Sequence, residues 1–186
     1  MCAHFYFSAI ALNLESNFFE SKGYFDFSTW MLGFVHYFKN LPSSDENQIY
    51  GIRPHTDAGI FTFLATDGKP GLEVCVNGDE CDPSKRIWVK IKSPPSGHLI
   101  VNLGKNLEIW SGGRFKATLH RVVLDGKEDR FSVPFFYESN LDLKIKPLIG
   151  DSEQTETEKY TMIDDNVTPA DLMLARLNKN KLTTFT

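Results

Sequence analysis

The sequence predicts a mainly β fold, a sandwich or barrel of antiparallel sheet, on three observations. Between Ile49 and Asn140, short β-rich stretches alternate with turn signals and no helical stretch intervenes. The 186 residues include 15 Phe in an aromatic fraction of 13%, and aromatic and β-branched side chains suit pleated, half-buried surfaces. No internal repeat or low-complexity linker divides the chain, so a single domain is expected over 1–186, with its β core at 28–140 and a C-terminal tail at 141–186.

In chain order, Cys2 to Glu20 spaces Phe5, Ile10, Leu12, Leu14 and Phe18 among small and polar residues, an imperfect helical period that predicts an N-terminal helix. Trp30 to Phe38 (WMLGFVHYF) is a continuous apolar run suited to a strand covered on both faces. Leu41 to Gln48 is polar and turn-rich, a loop. Strands are then expected at 49–53, 60–66, 71–76, 87–91, 98–103, 107–110, 117–124 and 130–138. Asp67-Gly68-Lys69-Pro70, Asn77-Gly78-Asp79, Ser93-Pro94-Pro95-Ser96-Gly97, Ser111-Gly112-Gly113 and Asp125-Gly126-Lys127 punctuate them. Asp151 to Glu158 is acidic and polar. Thr168-Pro169-Ala170-Asp171 reads as an N-cap with Pro at the first helical position, so a short C-terminal helix should follow through Leu172, Leu174, Ala175 and Leu177.

Composition sets the outer bounds. Lys and Arg number 20 against 24 Asp and Glu, a net charge of −4, which speaks against nucleic acid or an anionic membrane as partner. The longest apolar runs, such as Phe5 to Leu12, fall well short of the ~20 residues that span a bilayer. Three Cys (Cys2, Cys75, Cys81) form no CxxC pair, so a reduced, cytoplasmic chain is expected. Trp88 and Trp110 are assigned to the core, and Cys75 and Cys81 to buried or inert thiols.

Among five His, His55 is the one with a carboxylate two residues on, in His55-Thr56-Asp57 at the end of an expected strand. In extended chain i and i+2 share a face, so imidazole and carboxylate converge. His120 lies mid-strand in a segment that a two-sheet roll can bring opposite. Two imidazoles and one carboxylate on one side of a metal leave adjacent positions open, an arrangement suited to Fe(II) holding a co-substrate and O₂. Taken alone, a His-x-Asp pair arises often by chance, and a strand His is more often a packing group. Arg130 and Ser132 share one face of the last strong strand, with Phe136 further along it. A guanidinium and a hydroxyl make a fitting carboxylate receptor, although Arg130 by itself also reads as a surface residue after an acidic turn.

These segments together resemble the isopenicillin-N-synthase-like branch of the Fe(II)/2-oxoglutarate-dependent dioxygenases. The matching stretches are Pro54-His55-Thr56-Asp57-Ala58-Gly59, Gly71-Leu72-Glu73-Val74, Val101-Asn102-Leu103-Gly104, the run from Ile109 to Val122, and Arg130-Phe131-Ser132-Val133-Pro134-Phe135-Phe136-Tyr137. The resemblance implies a double-stranded β-helix (jelly roll) with iron in its mouth. By position it makes His55, Asp57 and His120 the iron ligands, and Arg130 and Ser132 the holders of the distal carboxylate of 2-oxoglutarate. A supporting strand Tyr falls on Tyr37, or on Phe38 if the register slips by one. His36 would then point to the opposite face, and His4 and His98 take no role. Phe136 and Leu103 are assigned to an apolar substrate pocket.

The implied activity couples oxidative decarboxylation of 2-oxoglutarate to hydroxylation or desaturation of a small organic substrate by O₂, with ascorbate as an accessory reductant. Some relatives use the same ligands without 2-oxoglutarate, and a non-catalytic remnant or binding module is the reading from outside the enzyme class. The sizeable N-terminal region usual in the family does not precede the match here. Val35, Lys105 and Gly33 stand where relatives often carry a polar residue, Asp and Arg.

Overall fold

The computed structural model describes residues 3–39, 48–148 and 166–175. Among them, α1 (Ala3–Ala11) and α2 (Phe18–Ser21) precede β1 (Ser28–Leu32), β2 (Val35–Tyr37), β3 (Ile49–His55), β4 (Phe61–Thr66) and β5 (Leu72–Cys75). A short 3₁₀ turn, Pro83–Lys85, leads to β6 (Trp88–Lys90), β7 (Ile100–Leu103), α3 (Lys105–Trp110), β8 (His120–Leu124) and β9 (Arg130–Asn140). Residues 169–175 are helical, as expected. The expected loop at 41–47, the acidic stretch 151–158, Cys2 and Leu177 lie outside the described residues.

The strands form two antiparallel sheets. The larger has the order β1-β9-β4-β7 with β2 also on β9, and the smaller has the order β3-β8-β5-β6. Period-two alternation divides each strand between two environments. Along β4, Thr62 and Leu64 face a cavity between the sheets, while Phe61 and Phe63 pack outward against Trp110, Phe19 and Leu107. That outer cluster centres on the fully buried Trp110, stacked on Phe19 with centroids 5.5 Å apart and edge-on to Tyr24 at 5.0 Å. Ile145 joins it, so the start of the tail belongs to the core. The inner cluster, between the sheets, is Tyr37, Leu72 and Val122 with Ile52, Leu64 and Ile100 around them.

Four expectations need correction. The apolar run 107–110 is helical rather than extended, because Gly104 turns the chain and the first N–H groups of α3 find acceptors at the backbone carbonyls of Asp57, Ala58 and Gly59. Trp30 to Phe38 is two strands, not one, and is not covered on both faces: Trp30 is 61% and Phe34 80% exposed. The break at Gly33 and Phe34 falls opposite Pro134, whose carbonyl accepts from the Gly33 N–H at 2.8 Å but which has no N–H to return. The N-terminal helix ends at Ala11, where Asn13 takes a left-handed φ of 57°, and resumes only at Phe18. Trp88 is only half-buried and lies beneath the Arg121 guanidinium, 4.1 Å away, on the smaller sheet. No helix among the described residues is long and apolar enough to cross a membrane.

Candidate metal centre and its cavity

His55 ends β3 and His120 begins β8, and the two are direct register partners in the smaller sheet. Their rings therefore stand side by side, centroids 4.2 Å apart. Asp57, just past the end of β3, places Oδ1 3.7 Å from His55 Nε2 and Oδ2 3.9 Å from His120 Nε2. One ligand-capable atom from each of the three lies within 4.8 Å of the others. Each imidazole has its Nδ1 2.8 Å from the backbone carbonyl two residues upstream, Arg53 for His55 and Thr118 for His120. A proton on Nδ1 donates to that carbonyl and leaves the Nε2 lone pair aimed at the shared point.

Asp57 is 2% exposed, and a buried carboxylate needs donors around it. Its Oδ2 accepts from Thr62 Oγ1 at 2.6 Å and from Asn102 Nδ2 at 2.9 Å. Its backbone is held as well, since the Lys105 N–H donates to the Asp57 carbonyl at 2.8 Å. The approach is so close that a Cβ on Gly104 would collide with the Gly59 carbonyl. α3 also reaches the His120 side: Glu108 Oε2 accepts from the Ala117 N–H at 2.8 Å, and Oε1 pairs with Lys105 Nζ at 2.7 Å. Lys105 is thus engaged with its own helix and does not line the cavity.

That cavity measures about 210 Å³ and is lined from both sheets by His55, Asp57, His120, Thr62, Asn102, Tyr37, Arg130, Ser132, Phe136 and aliphatic side chains such as Ile52, Leu64 and Leu72. Arg130 and Ser132 are 2% and 4% exposed. Tyr37 pairs with Arg130 across β2 and β9, as Val35 does with Ser132, and the guanidinium lies 5.0 Å from the Tyr37 ring centre. Tyr37 is buried in this wall while Phe38 is 58% exposed, so the slipped register is not the one adopted. Gly51 makes room for that ring: a Cβ there would meet Tyr37 Cδ1 at 2.6 Å. Arg130 Nε and Nη1 are buried without a hydrogen-bond partner, donors that a carboxylate of suitable reach would satisfy.

Leu103 is not in the cavity wall. Alternation along β7 turns Asn102 inward and sends Leu103 to the opposite face, where it packs on the Trp110 cluster. His36 points away, its Nε2 3.2 Å from Asp129 Oδ2. The Lys39 N–H, then His36, hold the Asp129 carboxyl below the usual carboxylate range. His98 is exposed. Thr62 and Asn102 went unrecognised in the sequence as partners of Asp57; the available signal was Asn102, the one polar residue in the otherwise apolar Ile100–Leu103.

The 2OG-Fe(II) oxygenase superfamily profile matches residues 30–139. The clavatol oxidase of Penicillium crustosum is 38% identical over 137 residues, covering 71% of this chain and 38% of that protein. Kihadalactone A synthase of Citrus sinensis is 34% identical over 156 residues, covering 83% of this chain and 45% of that one. The chain thus spans less than half the length of these two curated relatives. A full-length Neurospora crassa protein, solved in complex with alpha-KG, superposes with a TM-score of 0.71 at 23% identity, over 92% of this chain and 50% of its own. That likeness identifies the fold as the jelly roll of such oxygenases. With the profile spanning both sheets and every segment that lines the cavity from β2 onward, this chain belongs to the 2OG-Fe(II) oxygenase superfamily.

Proposed function

We propose that the chain binds a ferrous ion through His55, Asp57 and His120 and 2-oxoglutarate through Arg130, Ser132 and Tyr37. The activity is oxidative decarboxylation of 2-oxoglutarate coupled to hydroxylation or desaturation of a small organic substrate. When bound, the iron supplies the activation of O₂ that no side chain can perform. The donor set fits it: two imidazoles and one carboxylate, with ligand-capable atoms within 4.8 Å of one another, suit Fe(II) with positions left open.

The protein's own part is binding and orientation. The buried guanidinium of Arg130 presents its unpartnered Nε and Nη1 for a carboxylate, with the Ser132 hydroxyl on the same face and the Tyr37 ring beneath. Phe136, Leu64 and Leu72 give the same cavity an apolar lining that disfavours water. Phe136 is assigned to the substrate's apolar wall. The free thiols of Cys75 and Cys81 support a reducing compartment, the cytoplasm. One observation carries the reading: a buried cation with unmet donors shares a cavity with a metal-competent triad.

Anaerobic addition of Fe(II) and then 2-oxoglutarate should produce the visible charge-transfer band of the chelate, and His120→Ala should abolish it. No band from the unmodified chain, or the same band from His120→Ala, overturns the proposal. Succinate release that depends on added organic substrate would then identify the coupled reaction, and substrate oxidation without succinate would point to an oxidase that needs no 2-oxoglutarate.

A further inference from the structure

The metal-competent residues are tied to the two sheets in an uneven way. His55 and His120 are both part of the smaller sheet and pair with each other. Asp57 lies beyond the end of β3, on a segment outside any strand. What ties it to the larger sheet is a pair of side chains that are themselves register partners, Thr62 on β4 and Asn102 on β7. Both donate to one oxygen, Asp57 Oδ2, at 2.6 and 2.9 Å.

We infer that Thr62 and Asn102 are positioning residues for the metal: together they clamp the Asp57 carboxylate to the larger sheet and set its distance from the imidazoles of the smaller one. The inference rests on the reading that His55, Asp57 and His120 hold a divalent cation.

Three features support it. The Thr62 contact is buried, with Thr62 4% and Asp57 2% exposed, so water does not compete for it, and Asn102 reaches the same oxygen from a half-buried position. A carboxylate whose one oxygen accepts two hydrogen bonds, one of them from a hydroxyl at 2.6 Å, cannot rotate about its Cβ–Cγ bond without breaking both. Finally, the donors interrupt a wall that is otherwise aliphatic on these strands, Leu64 and Ile100 flanking them on the inward face. Packing alone would be served as well by Val and Leu, so the polarity is explained by its acceptor. Partners of this kind orient a ligand and tune its charge, and their removal typically costs 10–100-fold in metal affinity.

The test uses the full chain and Mn(II), followed by the electron paramagnetic resonance signal of the free ion under anaerobic conditions. Thr62→Val keeps the shape and removes the hydroxyl; Asn102→Ala removes the amide. Each should weaken Mn(II) binding by roughly 10–100-fold, and Thr62→Ser, which restores the hydroxyl without the methyl, should recover most of the loss. In an Asp57→Ala background, adding Thr62→Val should leave residual Mn(II) binding unchanged. Should Asn102→Ala fail to fold, the Val and Ser variants at position 62 carry the test alone. Unchanged affinity in Thr62→Val, no recovery in Thr62→Ser, or an equal loss in the Asp57→Ala background each overturns the positioning role. A chain that binds no Mn(II) before any substitution overturns the triad reading instead.

Discussion

Replacing Arg130 by leucine separates the cost of keeping this cavity from its use. The guanidinium is 2% exposed, and its Nε and Nη1 have no acceptor. A buried donor left unpaired costs about 1–3 kcal/mol, whereas the cation–π contact with Tyr37, at 5.0 Å, returns only about 0.5–2 kcal/mol. The ligand-free Arg130→Leu protein should therefore melt at the same temperature as the parent or higher. Its affinity for 2-oxoglutarate should collapse. Losing one charged, desolvated partner is worth about 3 kcal/mol, on the order of a hundredfold. With Mn(II) bound and 2-oxoglutarate at about a hundred times its parental Kd, the parent gains about 2.7 kcal/mol and the variant about 0.4 kcal/mol. For a chain of this size each kcal/mol moves the midpoint by about 2–4 °C, so differential scanning fluorimetry resolves the two. Mn(II) affinity itself should hold, because Arg130 contacts none of the triad. A variant that loses stability without ligand, keeps its affinity for 2-oxoglutarate, or loses metal and co-substrate in parallel would refute the reasoning and make Arg130 a structural residue.

Gly51→Ala places a Cβ 2.6 Å from Tyr37 Cδ1 and 3.1 Å from Val122 Cγ1, an overpacking worth about 1–3 kcal/mol. It should lower the unfolding midpoint, and Tyr37→Leu in the same chain should restore part of the loss; an unaltered midpoint would show that β3, whose register against β8 shifts between Tyr50 and Ile52, gives way freely there. At the other end of the chain, Thr168 caps the helix at 169–175: its Oγ1 donates to Asp171 Oδ2 at 2.7 Å and its N–H at 2.9 Å. The hydroxyl first, then the backbone N–H, holds the Asp171 carboxyl below the usual carboxylate range. A depressed folded pKa means that the stabilisation is complete above the unfolded value of about 3.9 and disappears as pH falls through the lower, folded one. Amide exchange at 169–175 should accelerate across that acid window and lose its pH dependence in Asp171→Asn; acid-independent protection in the parent would contradict the cap.

The elements legible in the sequence were those fixed by neighbours along the chain. His55 and Asp57 were legible as a pair because i and i+2 converge, and the capped helix at Thr168 because its signal spans four residues. Features that failed depend on a partner far away. Pro134, a hundred residues downstream, splits the run from Trp30 to Phe38 by withholding a donor from Gly33. The run 107–110 is too short for periodicity to separate strand from helix, and the choice is made by carbonyls at Asp57, Ala58 and Gly59 that await the N–H groups of α3.

Leu103 and Asn102 show how the site itself follows from such long-range facts. Alternation permits only one of two adjacent residues to face the cavity, and nothing within β7 says which. The pairing of Asn102 with Thr62, itself aligned with Phe136 on β9, settles it. The same ladder that turns Leu103 outward to the Trp110 cluster brings an amide donor to Asp57. A substitution that slips β7 by one residue would thus exchange a metal-orienting amide for an aliphatic side chain, and a centre assembled from both sheets would lose its carboxylate's anchor before it lost either imidazole.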